Sequence, residues 1–181
     1  MIDESKYKLN YVYAEDFGTG YFKYGPITLR DKPYMIQSRG LFLRDLPESI
    51  KLLVPKEVLE RGGVVVGDDI PKYLSSIRDA IRNLRYPLKD GVIRKEDEDS
   101  WKIVRELARY GFSQFFSDFA RRPDFKGGFF LVVALSALAP DYMRDRMIDV
   151  HKEIDEEFGG KLLQAVTIID QPLRWLLLRR Q

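Results

Sequence analysis

The chain has no cysteine among its 181 residues. Disulfides, thiol nucleophiles and zinc–thiolate sites are therefore excluded. It has one histidine, His151, so no cluster of imidazoles and carboxylates stands at metal-ligand spacing. No stretch approaches the run of about 18 uncharged apolar residues that reads as a membrane span. The longest apolar run, Phe129 to Pro140, is interrupted by Ser136. The opening residues, Met1 to Lys6, lack the basic-then-apolar order of a signal peptide, and a cytoplasmic location is the expectation. Neither sign of charge dominates: 30 basic and 28 acidic residues leave +2, which argues against a dedicated nucleic-acid binder. Core-forming residues are plentiful. A hydrophobic content of 45% with 13% aromatics is enough to bury a sizeable core without staples.

Residues 9–16, 21–29 and 34–43 alternate or run apolar between short turns, and read as three successive antiparallel strands. From 44 to 93 the character changes. Leu46-Pro47 and Val54-Pro55 punctuate, and Gly62-Gly63 precedes a short buried strand at Val64-Val65-Val66 that ends at Gly67. Pro71 suits the first turn of a helix capped by Asp68 or Asp69 and running to about Leu84. Residues 96–119 predict a long helix. Its first turn is acidic, which the helix dipole favours, and Trp101, Val104, Ala108, Phe112 and Phe115 form one apolar face. Glu98 and Lys102 are spaced as a helical ion pair. Phe129 to Leu135 predicts a strand buried on both faces. A second amphipathic helix covers 141–158, with Asp141 as N-cap, a stripe of Met143, Met147, Val150, Ile154 and Phe158, and a stop at Gly159-Gly160. Gln164 to Ile169 is a further strand, and Asp170-Gln171-Pro172 opens a last helix. The order βββ, insertion, αβαβα implies an α/β mixed sheet of five strands with flanking helices and a small inserted subdomain.

The segment from Glu15 to Gly25 carries the chemistry. An acid, Asp16, ends the first strand; Gly18, Thr19 and Gly20 turn the chain; Lys23 lies seven residues after the acid. Glycines let backbone N–H groups converge on an anion without a Cβ in the way. A lysine adds positive charge for phosphate, and a carboxylate can reach a hydrated Mg²⁺. By itself the same segment also fits a tight β-hairpin with ordinary turn residues.

Five segments in order resemble the actin superfamily, and most closely its archaeal member crenactin. They are the turn Asp16 to Lys23; Leu41-Phe42-Leu43-Arg44-Asp45-Leu46-Pro47-Glu48-Ser49; Val66-Gly67-Asp68-Asp69; Tyr86-Pro87 with Gly91-Val92-Ile93, followed by the acidic helix with Trp101; and Ala134 to Met143. The resemblance covers the first half of an actin-type protein. It implies a ribonuclease-H-like half-domain, with 1–43 and 94–181 as the core and 44–93 as the inserted subdomain. It implies Mg-ATP or ADP as ligand, with Gly18, Thr19, Gly20, Tyr21 and Lys23 at the phosphates and Asp16 holding the metal through water. It implies assembly with self, with a separate second half, or with full-length crenactin. The second phosphate loop has no counterpart here, and the water-orienting position counts to Arg179, which has no acceptor. ATP turnover by this chain alone is therefore not expected. A non-catalytic half-actin that caps or regulates crenactin filaments, through the apolar Leu173 to Leu178, is the alternative; a truncated fragment without independent activity is another.

Other residues read structurally. His151 flanks its helix's apolar stripe and suits a surface or half-buried position. Phe112, Phe115, Phe116 and Phe119 suit core or interface. Ser75-Ser76 and Ser113 have no partnered base.

Overall fold

A computed structural model describes residues 11–28, 31–74, 81–119, 121–123 and 128–171. The predicted last helix, with Leu173 to Leu178 and Arg179, lies outside the described residues, as do Ser75-Ser76 and the Phe119 side chain. Strands β1 (Tyr11–Phe17), β2 (Tyr21–Pro26) and β3 (Tyr34–Gln37) form an antiparallel meander. After an excursion, helix α4 (Glu98–Phe119), strand β6 (Phe129–Leu135), helix α5 (Asp141–Glu157) and strand β7 (Leu163–Asp170) follow. β6 lies parallel to β1, and β7 parallel to β6, giving the order β3-β2-β1-β6-β7. This is the five-stranded mixed sheet that the element order implies.

The excursion begins earlier than the sequence suggests. The third predicted strand divides, because Gly40–Phe42 (β4) leaves the main sheet and pairs with β5 (Val64–Val66). A Cβ on Gly40 would fall 2.6 Å from Cγ1 and 2.8 Å from Cγ2 of Ile103, so only glycine lets the chain pass this close to α4. Short helices α1 (Glu48–Lys51), α2 (Lys56–Glu60) and α3 (Asp69–Leu74) complete this lobe. Pro47 and Pro55 occupy the N-cap positions of the first two, and Pro71 sits in the first turn of the third. Leu41, Leu43, Leu46, Val58, Val65 and Ile70 are among the residues that give it a core of its own. Arg44 and Arg85 hold it to the start of α4. Both guanidiniums bind Asp99 and both lie over the Phe42 ring.

Tyr13, Glu15 and Phe17 alternate toward α4 and α5, which cover one face of the main sheet. Trp101, Val104, Ala108, Phe112 and Phe115 are all buried, as the helical spacing predicts. Gly111 marks the closest crossing: a Cβ there would lie 2.5 Å from the Tyr13 hydroxyl and 3.1 Å from the Phe22 and Tyr24 rings. Asp97 caps α4, accepting from the Ser100 N–H at 3.2 Å. Three expectations are corrected. β6 is fully buried on its helix side, while on the other face Ala134 is buried but Phe130 is 42% exposed, because among the described residues α4 and α5 cover a single side. Pro140, not Asp141, is the N-cap of α5, and it offers no side-chain bond. Glu98 keeps the Lys102 charge nearby, but its hydrogen bonds go to Arg146 of α5, which it binds through both carboxylate oxygens at 3.0 and 2.8 Å. That fork is bidentate, a geometry that a lysine cannot match.

Candidate functional site

The site is built on the C-terminal end of β1. In open α/β sheets this is where ligands bind, because loops there diverge from parallel neighbours and leave a crevice. The ends of β6 and β7, at Leu135 and Asp170, lie in register beside it.

Asp16 and Lys23 are direct cross-strand partners. Directly opposed residues project from the same face, so the Asp16 carboxylate, buried at 6% exposure, and the half-buried Lys23 side chain lie on one side of the hairpin. That face is the one turned away from the helices. No ion pair among the described residues engages Lys23. The turn between them is tight: the Gly18 N–H donates to the Tyr21 carbonyl at 3.1 Å, and a Cβ on Gly18 would stand 2.8 Å from that oxygen. Gly18 is thus a glycine for the turn's own sake. Gly20 is not. A Cβ there would meet nothing within 4 Å, and its φ lies outside the left-handed region. The protein itself makes no demand for glycine at this position. A side chain there would simply occupy open space above the turn. Thr19, Gly20 and Tyr21 are exposed at the tip.

Two residues that sequence reasoning passed over complete the site. Ser38 lies behind the tip, fully buried; its N–H donates to the Gly20 carbonyl at 3.0 Å, while its hydroxyl has no hydrogen-bond partner among the described residues. No sequence signal marks a lone serine between strands. Gln171 follows β7, and its Nε2 donates to Asp16 Oδ1 at 3.2 Å and to the Phe17 carbonyl at 3.0 Å. Both amide hydrogens are spent in this way, which leaves Oε1 as an acceptor. Arg179, the expected water-orienting position, lies outside the described residues.

Directly beneath the site is a buried ion pair. Glu15, next to Asp16, points to the helix side and meets Nε2 of His151 on α5. Both are almost wholly enclosed, at 1% and 0% exposure, so the expected surface or half-buried histidine is corrected. A signal was present: His151 stands four residues after Met147, inside the helical stripe, and its polarity masked its position. Nδ1 donates to the Met147 carbonyl at 2.6 Å, since a carbonyl can only accept. Burial alone would lower the His151 pKa, but the Glu15 charge and hydrogen bond outweigh it and the net direction is upward. Phe17 packs its ring against the imidazole at 6.1 Å. Burial also pushes the neighbouring Tyr13 phenol well up, and the Glu15 charge adds to this. Among the described residues no three His, Asp or Glu side chains converge as a metal cage, and no helix is long and apolar enough to cross a membrane.

No family model matches the sequence. Solved structures do match the fold. The MamK double helical filament superposes with a TM-score of 0.60 at 18% identity, over 91% of this chain and 42% of that one. MreB5 of Spiroplasma citri bound to ADP gives 0.55 at 15% identity, over 91% and 39%. A non-polymerising MamK mutant bound to AMPPNP gives 0.51 at 19% identity, over 92% and 42%. The chain thus spans about two fifths of the length of these structures. The fold it shares with them is that of an actin-like half-domain.

Proposed function

We propose that the chain is an actin-like, crenactin-type cytoskeletal protein corresponding to an N-terminal half. It acts through assembly with itself, with a separate second half, or with full-length crenactin, and it keeps the first phosphate turn for Mg-ATP or ADP. The observation that carries this reading is the bare tip at Gly20, beside Asp16 and Lys23, at the strand ends of an actin-like half-domain. The MamK mutant and MreB5 structures hold AMPPNP and ADP, nucleotides of the proposed class.

Thr19 and Gly20 would offer backbone N–H groups to a phosphate, with Gly18 and Tyr21 fixing the turn that aims them. Lys23 would neutralise charge on the same phosphate, and Asp16 would hold a hydrated Mg²⁺. Bound Mg-ATP supplies a phosphoanhydride that water can cleave. Gln171 would brace Asp16 from the end of β7, and its Oε1 remains able to accept a hydrogen bond once Nε2 has bound Asp16. The second phosphate clamp would come from a partner. Calorimetry with Mg-ATP tests the site. Heat of binding is expected for the wild-type chain, and Lys23→Ala should weaken affinity by about tenfold or more, the loss of one charge-assisted contact. No heat at millimolar nucleotide would sink the reading.

A further inference from the structure

β7 ends the sheet, and among the described residues only its β6 side is paired. None of its eight residues is buried, whereas β6 buries Phe129, Leu131, Val133, Ala134 and Leu135. Such an edge carries a row of backbone N–H and C=O groups that still want partners. Proteins blunt edges with short strands, proline, lysine or bulges. The opposite edge follows that practice: β3 has four residues and is entered through Lys32-Pro33. β7 does not. From Ala165 to Ile169 it has no charge, proline or glycine, and four of the five residues, Val166, Thr167, Ile168 and Ile169, are β-branched. Its one irregularity lies at its start, beside Phe129 and Phe130.

We propose that β7 pairs antiparallel with β7 of a second copy about a two-fold axis, joining two five-stranded sheets into one. The sequence of the edge selects this occupant. A two-fold normal to the sheet requires one residue to face its own copy. Centred on Thr167, it sets Thr167 against the partner's Thr167, Val166 against the partner's Ile168, and Ala165 against the partner's Ile169. Thr–Thr and β-branched pairs are among those that stabilise antiparallel ladders. Val166 and Ile168 pair with Leu131 and Val133 of β6, so the new contact extends the helix-side core across the junction. The pairing needs neither nucleotide nor a second half, and so stands apart from the reading above.

Sedimentation velocity over a range of concentrations tests it, with Thr167→Lys and Thr167→Cys beside the wild type. The wild type should pass from monomer to dimer. Thr167→Lys sets like charges opposite each other and should weaken the dimer by about tenfold or more without changing the thermal melt at concentrations where both chains are monomeric. Thr167→Cys should form a disulfide-linked dimer on oxidation, because facing residues in an antiparallel pair meet the Cα separation a disulfide needs. The native chain has no cysteine, so that link reports this contact alone, and Lys161→Cys should not form it. The crosslink also decides the matter if Thr167→Lys fails to fold. A wild type that stays monomeric, a dimer indifferent to Thr167→Lys, or a dimer that Thr167→Cys does not link would each overturn the proposal, and the last two would assign the contact to another surface.

Discussion

His151→Ala is expected to cost about 3–5 kcal/mol of folding stability, the effect of removing one partner from a buried ion pair. The substitution leaves the Glu15 carboxylate enclosed at 1% exposure with no cation, and it opens a cavity against Phe17. Desolvation makes the surviving charge the larger part of the loss. Replacing both partners with apolar residues, Glu15→Met with His151→Leu, should therefore recover most of it. Urea unfolding midpoints check both statements; a double variant no better than the single one would contradict them. The pair also fixes a pH dependence. The groups facing it are Tyr13 and Glu15 of β1, Phe17, and the Met147 carbonyl of α5. The folded His151 pKa lies above the ordinary 6.5, so between those two values the folded chain binds one proton more than the unfolded chain. Stability is full below about pH 6.5 and falls as pH rises through the folded value. The double variant should lack this slope. Stability that rises over the same window would contradict the assignment.

Phe112→Ala is expected to cost about 3–5 kcal/mol as well, but by another route, the cavity left by a buried ring. Phe112 is fully enclosed. Its ring meets Phe129 of β6 at 5.1 Å and Phe158, just past α5, at 5.0 Å. It therefore joins both helices to the centre of the sheet, and neighbours on β6 and past α5 cannot both relax into the gap. Phe112→Leu keeps more of the volume and should cost less. Phe116, one turn on and 36% exposed, should cost under half as much when cut to Ala. Comparable losses at 112 and 116 would show that the core is centred elsewhere.

Where periodicity governs, the fold was legible in the sequence. Trp101 to Phe115 repeat at three and four residues because a helix lying on a sheet buries one stripe, and Phe129, Leu131, Val133 and Leu135 are apolar because they face that helix layer. What escaped depends on contacts between distant segments. The chain leaves the main sheet at Gly40 because Ile103, far along the sequence, leaves no room for a side chain. His151 is buried because Glu15 waits opposite it, more than a hundred residues away, and polarity alone pointed the other way. The turn from Asp16 to Lys23 was visible as a motif. Ser38 and Gln171 were not, since only folding brings them to it. The difference between Gly18 and Gly20 was equally hidden: one serves the turn, while the other leaves open space.

The central claim is assembly by an actin-like half-domain. It is tested most directly by high-speed sedimentation and negative-stain electron microscopy of the purified chain with Mg-ATP, in the absence and presence of crenactin. Polymer formed by the chain, or chain incorporated into crenactin filaments, is the expected result. A chain that stays in the supernatant, shows no polymer and leaves crenactin filaments unchanged would contradict it.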